Sequence, residues 1–400
     1  MLQIAGGVCA PRGFLAGAAM AEIKKADKYD VGLIVSEVEA VAAGVFTTNR
    51  VKAAPVIHSK KVVEGGLAKG IVINSGNANA CTGERGISDC LAMAREAAAV
   101  LGTGEDRVAV ASTGVIGVEM PMDKVLPGVQ KAGKALSSQG GHELALAMMT
   151  TDTFAKETAA EISLSGQKVR IGGVAKGSGM IHPNMATMLC FITTDARIDA
   201  RLLQEALREA ADESFNMITV DGDTSTNDTL LILANGMAGN SPLQAGSDDY
   251  GKFKAALSRV CRELAQMIAR DGEGATKFLE IEVGGAGSLE DARRAARGIA
   301  GSSLTKAAFY GEDANWGRII CALGYSIEGF DPGLVDIFLG ELQVCEAGGG
   351  LPFSEEEAKE ILSQKDIKVR VELNLGDFRA TAWGCDLSHE YVTINGSYRT

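Results

Sequence analysis

Several features that mark common classes of protein are scarce or missing in this sequence. Histidine accounts for only 4 of the 400 residues, and neither His-Glu-x-x-His nor another familiar ligand spacing occurs, which disfavours a zinc site. None of the 8 cysteines forms a Cys-x-x-Cys pair, so we expect these thiols to be reduced and mostly buried. No apolar run reaches the roughly 18 residues that a membrane-spanning helix requires. We therefore predict neither a metal centre nor a membrane protein.

An excess of basic residues is also missing. Asp and Glu number 51 against 39 Lys and Arg, which gives a net charge of −12. Because binding to nucleic acid requires a concentrated basic patch, we expect no nucleic-acid partner. The first 20 residues lack a basic start and are interrupted by Arg12, so we interpret them as mature structure and not as a signal peptide. These features favour a cytoplasmic globular enzyme.

Glycine and proline indicate how the chain is organised. With 49 glycines and only 8 prolines, the sequence favours a compact protein with many tight turns. Short apolar runs alternate with amphipathic stretches, which predicts an α/β fold. Strands are predicted at 31–35, 70–74, 107–112 and 229–234, and helices at 89–101, 200–214 and 249–269. Beyond residue 280, runs of period two predict a smaller C-terminal α+β domain over about 282–400.

Two stretches rich in hydroxyl groups are candidates for chemistry. The first, 111–117, reads Ala-Ser-Thr-Gly-Val-Ile-Gly and directly follows a predicted strand. Backbone N–H groups and a hydroxyl at a strand end could bind a ligand or an oxyanion, although a plain strand-ending turn explains the same residues. The second, 149–154, reads Met-Thr-Thr-Asp-Thr-Phe, and its residue types favour a helix cap or a turn over a site.

A third stretch, 176–195, joins a glycine-rich loop to an apolar strand. It reads Lys-Gly-Ser-Gly-Met-Ile-His-Pro-Asn-Met-Ala-Thr before the apolar residues begin. Thr187 there is either an ordinary strand threonine or a residue whose hydroxyl attacks the preceding peptide bond. If the Ala186–Thr187 bond breaks, Thr187 acquires a free α-amino group, whose pKa near 8 suits a general base. The stretch thus permits an N-terminal threonine nucleophile.

Other nucleophile and phosphate motifs do not fit. The run Gly-Gly-Val-Ala-Lys-Gly-Ser at 172–178 resembles a phosphate loop. Its lysine, however, precedes the last glycine of the run, whereas the lysine of a phosphate loop follows that glycine. Gly-Ser-Gly at 177–179 lacks the outer glycines of a nucleophile elbow. The members of a Ser-His-Asp triad are distant in sequence, so spacing does not test that arrangement directly.

The segment Lys-Gly-Ser-Gly-Met-Ile-His-Pro-Asn-Met-Ala-Thr-Met-Leu resembles the self-cleaving segment of the ArgJ family, the glutamate N-acetyltransferases also called ornithine acetyltransferases. Further blocks resemble that family in order along nearly the whole chain: 42–49, 51–55, 72–79, 112–117, 150–153, 220–224, 271–276, 313–318 and 395–400. The resemblance implies an αββα sandwich related to N-terminal-nucleophile hydrolases. It also implies autocleavage into an α chain, 1–186, and a β chain, 187–400, which would assemble as α2β2.

The same resemblance implies the residues of the site. Thr187 is expected to be the nucleophile, released by cleavage after Ala186, and Thr113 with Gly114 the oxyanion hole. The implied reaction moves the acetyl group of N-acetyl-L-ornithine to L-glutamate in arginine biosynthesis, with acetyl-CoA open as a further donor and no other cofactor. The implied amino-acid site consists of Thr153, Lys176, Thr187, Glu273, Asn395 and Thr400.

Two other functions are compatible with parts of this pattern. An N-terminal-nucleophile aminopeptidase or amidohydrolase would transfer the acyl group to water instead of glutamate. A non-catalytic amino-acid-binding protein would remain one uncleaved chain. Acetate release and chain cleavage therefore distinguish the three readings.

Overall fold

A computed structural model describes residues 1–24, 26–182 and 188–397. The strands are β1 Leu2–Ile4, β2 Phe14–Ala19, β3 Val31–Phe46, β4 Leu67–Asn77, β5 Val108–Val115, β6 Lys156–Leu164, β7 Gln167–Lys176, β8 Leu189–Thr194, β9 Thr229–Ala234, β10 Phe278–Ala286, β11 Asp336–Leu339, β12 Leu342–Glu346, β13 Gly349–Gly350, β14 Asp366–Glu372 and β15 Phe378–Cys385. The helices are α1 Ala54–Glu64, α2 Gly83–Leu101, α3 Met122–Lys134, α4 Gly141–Met148, α5 Ala200–Asp212, α6 Asp248–Arg270, α7 Leu289–Gly301, α8 Ser303–Tyr310, α9 Trp316–Ser326, α10 Glu355–Leu362 and α11 His389–Ser397.

The long strand β3 belongs to both halves of the larger sheet. Its first half pairs antiparallel with β2 and β4, and its second half pairs antiparallel with β9. The β3–β4 register shifts between Val35 and Ala40, where the strand bends from one half to the other. Across the described residues the strand order is β1-β6-β7-β8-β9-β3-β4-β5, with β2 also on β3. One strand thereby connects two sheet layers.

Alternating side chains show how these two layers pack. Ile71 and Ile73 of β4 share one buried cluster with Leu189 and Phe191 of β8, so the two layers face each other across it. Val72 of β4 points the other way, into a cluster with α2 and α3. The outer face of β8 packs in the same manner on α5 and α6. The order of layers is helix, sheet, sheet, helix, which confirms the predicted αββα sandwich.

The C-terminal part of the chain forms a second sheet. Its order is β13-β12-β11-β14-β10-β15, and β10 pairs parallel with β14 and antiparallel with β15. Apolar residues of β10, α7 and β14 join the cluster that contains α5 and α6. The C-terminal part of the chain is therefore an α+β unit that shares a core with the sandwich.

Most of the predicted elements are present with adjusted ends. The four strands predicted in the first 280 residues are all found, in β3, β4, β5 and β9, although β5 begins at Val108 and not at Arg107. The helix predicted at 89–101 begins earlier, at Gly83, because Gly-Glu-Arg-Gly adds another turn that a sequence pattern would assign to a loop. In the part of the chain that the structure describes, we find no helix with the length and apolar character needed to cross a bilayer.

Candidate active site

A cleft opens where strands from both sheet layers end. Thr113 lies near the end of β5, Lys176 is the last residue of β7, and Leu189 is the first residue of β8. Loops 221–228 and 271–274 and the helix α11 complete its walls. Five of the predicted site residues line this cleft, although they come from distant parts of the sequence. They are Thr113, Gly114, Lys176, Glu273 and Asn395.

Gly114 has a conformation that other residues rarely adopt. Its φ is +135°, and a Cβ atom there would lie 2.3 Å from the carbonyl carbon of Gly76. β5 and β4 pair in parallel up to this point, and their register shifts at Gly76 and Asn77. A glycine is therefore required where Thr113 and Gly114 turn from the sheet into the cleft.

Lys176 brings positive charge to the same end of the cleft. Its side chain is mostly buried, and its ammonium group donates to the hydroxyl of Thr150 at 2.9 Å and to that of Thr113 at 3.4 Å. The Oδ2 atom of Asp152 lies 3.9 Å from the same nitrogen. The cation thus contacts two hydroxyl groups and one carboxylate.

Asp152 is part of a charged cluster that is almost fully buried. Lys156 Nζ lies 2.7 Å from Asp152 and 2.5 Å from Asp271, and the Lys156 and Asp152 side chains are both 0% exposed. Asp152 also accepts hydrogen bonds from the backbone N–H groups of Thr150 at 2.9 Å and Gly177 at 2.7 Å. Burial alone would raise the pKa of Asp152, but Lys176, Lys156 and these hydrogen bonds outweigh it and hold the pKa below its ordinary value. Asp152 is therefore ionised.

A second group of lining residues forms the acidic end of the cleft. Asp221, Asp223 and Glu273 line it together with Tyr391 and Asn395 of α11. Asn395 donates to the Glu273 carboxylate at 2.7 Å. Burial, followed by the charges of Asp221, Asp223 and Glu273, raises the pKa of Tyr391, which keeps its hydroxyl protonated. This end is suited to a cationic group.

Close approach of the backbone shapes the acidic end. A Cβ atom on Gly179 would lie 2.4 Å from the Glu273 carboxyl group, so glycine lets this carboxylate reach the cleft wall. The amide of Glu273 donates to the Ser178 carbonyl at 3.1 Å. Glu273 is accordingly fixed against the 177–179 loop.

The described residues on the two sides of 183–187 are hydrogen-bonded to other parts of the chain. Asp221 accepts from the N–H groups of Met180 at 2.6 Å and Ile181 at 2.8 Å. On the other side, the N–H of Thr229 donates to the carbonyl of Met188 at 2.9 Å. Ile181 and Met188 both line the cleft, so the described residues on the two sides of 183–187 meet at the same site.

The remaining predicted residues have different positions. Thr153 is exposed, its hydroxyl and N–H both donate to Asp271, and it is not among the residues that line the cleft. Its neighbour Thr150 lines the cleft instead. Ala186, Thr187 and Thr400 lie outside the described residues, so their assigned roles stay predictions. The role of Thr153 also stays a prediction.

Sequence reasoning missed Thr150, Asp152, Asp221 and Tyr391. Thr150 and Asp152 lie within the stretch 149–154, whose residue types alone favoured a turn. Their partners Lys176 and Lys156 come from two neighbouring strands, and only pairing of the strands brings them together. Within 1–24, 26–182 and 188–397, no group of three or more His, Cys, Asp or Glu residues has a geometry that could hold a metal ion.

Comparison with known proteins places the chain in a family. The ArgJ family profile matches residues 15–400. A Symbiobacterium thermophilum protein named arginine biosynthesis bifunctional protein ArgJ is 57% identical over the full length of both chains. A Caldanaerobacter subterraneus protein of the same name is 52% identical over 98% of both chains.

A solved structure agrees with these matches. The crystal structure of the arginine biosynthesis bifunctional protein ArgJ from Bacillus halodurans is 48% identical, with a TM-score of 0.51. The match covers 98% of that chain and 52% of this one, so the solved chain is about half as long. The protein described here belongs to the ArgJ family.

Proposed function

We propose that this protein is an acetyltransferase of arginine biosynthesis that moves the acetyl group of N2-acetyl-L-ornithine to L-glutamate through an ester on Thr187. The observation that carries the proposal is that one cleft of this ArgJ-family chain brings Thr113, Gly114 and Lys176 together with Met188. Met188 is the residue that follows Thr187 in the sequence.

In the first half of the reaction, the Thr187 hydroxyl attacks the acetyl carbonyl of N-acetylornithine. The free α-amino group of Thr187 takes the hydroxyl proton, since its ordinary pKa near 8 suits a base at neutral pH. The Thr113 hydroxyl and the Gly114 N–H donate to the oxyanion, and one such donor contributes about 2.7–4 kcal/mol. The C–N bond then breaks, ornithine leaves with the proton, and acetyl-Thr187 remains.

In the second half, the amino group of L-glutamate attacks the acetyl ester. The same two donors hold the second oxyanion, and the Thr187 oxygen departs with a proton returned by its α-amino group. N-acetylglutamate is released and the enzyme is regenerated. No group is oxidised or reduced, so the cycle requires no redox cofactor.

The opposite charges of the two cleft ends support the recognition of an amino acid. Lys176 is placed to attract a substrate carboxylate, and Glu273 and Asn395 are placed to hold a cationic amine. Thr153, Thr187 and Thr400 complete the amino-acid site proposed from the family resemblance. N-acetylornithine carries both charges, at positions several bonds apart.

Cleavage of the Ala186–Thr187 bond is part of the proposal, because only cleavage frees the α-amino group of Thr187. The glycines of the preceding loop and the half-length chain of the solved Bacillus halodurans relative both support it. The resulting α chain, 1–186, and β chain, 187–400, would assemble as α2β2 in the cytoplasm.

Acetyl-CoA is proposed as a second acetyl donor. The two curated relatives compared above carry the word bifunctional in their names, and an enzyme that also acetylates glutamate from acetyl-CoA fits that word. Acetyl-CoA would load the same Thr187 hydroxyl, with the thiol of CoA as leaving group. An assay with acetyl-CoA as the only donor tests this activity separately.

The variant Thr187→Ala tests the proposal as a whole. We expect a single uncleaved chain of 41.6 kDa on a denaturing gel and no transfer of acetyl from N-acetylornithine to glutamate. Thr103→Ala, in the loop after α2, is the matched threonine control and should be cleaved and active. A cleaved, active Thr187→Ala protein would contradict the mechanism. Release of acetate in place of N-acetylglutamate by the wild type would favour the amidohydrolase reading.

A further inference from the structure

The charged cluster beneath the cleft contains equal numbers of positive and negative groups. It contains two ammonium groups, Lys156 and Lys176, and two carboxylates, Asp152 and Asp271. Only Lys176 contacts the cleft, while Lys156 is fully enclosed between the two carboxylates. Burying charged groups costs free energy, so a cluster of this kind serves stability poorly compared with apolar packing. Its position suggests that it acts on the cleft.

The hydrogen bonds of Lys176 have a fixed direction. An ammonium group can only donate, so the hydroxyl oxygens of Thr150 and Thr113 must both accept from it. Each hydroxyl then keeps its own proton for another acceptor. Both threonines line the cleft, and the proton of Thr113 is the one that the proposed oxyanion hole requires. A threonine without this neighbour could equally turn its oxygen toward the cleft.

Asp152 fixes the ammonium group that sets this direction. One carboxylate oxygen accepts from Lys156 and from the N–H of Gly177, the residue next to Lys176. The other accepts from the N–H of Thr150 and faces Lys176 at 3.9 Å. The Asp152 carboxylate therefore faces the Lys176 ammonium group and also binds two backbone N–H groups near it. One belongs to Gly177, which follows Lys176, and the other to Thr150, whose hydroxyl accepts from Lys176. Lys156 pairs with Oδ1 of Asp152, so the oxygen that faces Lys176 is the other one, Oδ2.

We propose that Asp152 is a positioning residue that acts through Lys176, fixing the Thr113 hydroxyl as a hydrogen-bond donor into the cleft. The proposal deepens the proposed function and rests on it, because it assumes that Thr113 stabilises an oxyanion. Asp152 itself does not touch the substrate in this arrangement. Through Thr113, its contribution is felt in the transition state, where the oxyanion forms.

A double-mutant cycle tests the proposal. Thr113→Ala removes the donor, Asp152→Asn removes the charge that fixes it, and the third protein carries both changes. We measure kcat and KM for acetyl transfer from N-acetylornithine, per cleaved chain as read on a denaturing gel. Thr113→Ala should lower kcat by about 10²–10³. Asp152→Asn should lower kcat, and the kcat of the double variant should be no lower than that of Thr113→Ala alone.

The cycle separates the possible failures. Additive losses in kcat would show that Asp152 acts independently of Thr113 and would overturn this inference alone. A Thr113→Ala enzyme with normal kcat would instead remove the oxyanion role on which the proposed function relies. Asp195→Asn is the matched control, since Asp195 is fully buried and accepts from the N–H groups of Arg12 and Arg170. Its effect should add to that of Thr113→Ala.

A second variant keeps the test valid if Asp152→Asn does not fold. Lys176→Met removes the ammonium group but leaves the pair of Lys156 and Asp152 intact. Its loss in kcat should also be non-additive with that of Thr113→Ala. Thermal unfolding of each variant identifies those that fold. Additivity in this second cycle would overturn the inference as clearly as in the first.

Discussion

The two ends of the cleft are formed by different kinds of secondary structure. The cationic end lies on the ends of strands β5 and β7, and enclosed side chains that are 0% exposed support it. The acidic end lies on loops and on α11, a helix with no buried residue in its described length. Asn395 and Tyr391 reach the cleft from this exposed helix. One end is therefore part of the core, and the α11 side of the other end lies on the surface.

This difference matches the demands of the proposed reaction. The acetyl group and the oxyanion are the same in both halves of the cycle, so a rigid end can serve both. The side chains of ornithine and glutamate carry opposite charges, and their recognition requires a surface that can adjust. Segments with few buried contacts open and rearrange most easily. Rigidity lies where the chemistry is constant, and adaptability where the substrates differ.

The largest expected effect tests the rigidity of the cationic end. Lys156→Met leaves Asp152 and Asp271 buried without the cation between them, and should lower the free energy of unfolding by about 3–5 kcal/mol. Chemical denaturation measures this loss. Lys252→Met, which breaks an exposed pair with Asp248, should lower the free energy of unfolding far less, because surface ion pairs contribute little. Equal losses in the two variants would show that the cationic end is not specially stabilised.

The next effect concerns the turn of Gly114. Gly114→Ala places a Cβ atom against the backbone of Gly76 and Asn77, so the Gly114 N–H must move. We expect kcat to fall by about 10²–10³, as for the loss of an oxyanion donor. Gly102→Ala is the control, since its φ of +62° is also left-handed but nothing lies within 4 Å of its Cβ position. That control should lose a little stability and no kcat.

A smaller effect is expected at the acidic end. Gly179→Ala pushes the Glu273 carboxylate away from Asn395, because its Cβ atom would otherwise lie 2.4 Å from that carboxyl group. The Michaelis constant for N-acetylornithine should rise about tenfold, since a charged hydrogen bond contributes about 1.5–3 kcal/mol. The fall in kcat should be minor because the rigid end is untouched. Gly251→Ala, in α6 with open space around it, should leave both constants unchanged.

The smallest expected effect is a pH dependence of stability that arises at His182. Burial, followed by the charge of Arg297, lowers the pKa of His182, whose ring also lies 3.0 Å from Thr219 Oγ1. The unfolded chain therefore binds more protons at this residue than the folded chain does as pH falls below about 6.5. Stability from the neutral imidazole is present above that pH and is lost as pH falls through the lowered pKa.

Denaturation curves at neutral and at mildly acidic pH measure this change. The wild type should lose more free energy of unfolding on acidification than His182→Gln does. The comparison cancels the carboxylates that titrate in both proteins. A wild type and variant with identical pH slopes would show that His182 is not held neutral by the fold.

The sequence predicted the strands better than it predicted the supports of the site. The runs within β4, β5 and β9 are apolar, short and bounded by turns, so each can be recognised as a strand from its own residues. Thr113 and Gly114 could be proposed as an oxyanion site because they end such a strand. The family resemblance added Lys176, Glu273 and Asn395, which spacing alone would not have joined.

Asp152 and Lys156 escaped prediction for a physical reason. Four residues apart, they read as an ordinary polar turn and the start of a strand. Their burial depends on Asp271, which is 115 residues beyond Lys156 and reaches it only after α6 has packed on the sheet. A charge in a sequence is normally exposed, and nothing local marks the ones that are not.

The pairing of β7 with β8 has a consequence for how the proposed α and β chains would relate. These strands pair from Ile171 with Thr194 to Lys176 with Leu189, and they lie on opposite sides of the Ala186–Thr187 bond. β3 and β9 are joined across the same boundary. After cleavage, the contact between the two chains would be the interior of one sheet, unlike the interface of two docked subunits. Neither chain could leave without unfolding, so calorimetry should record a single cooperative transition for the cleaved pair.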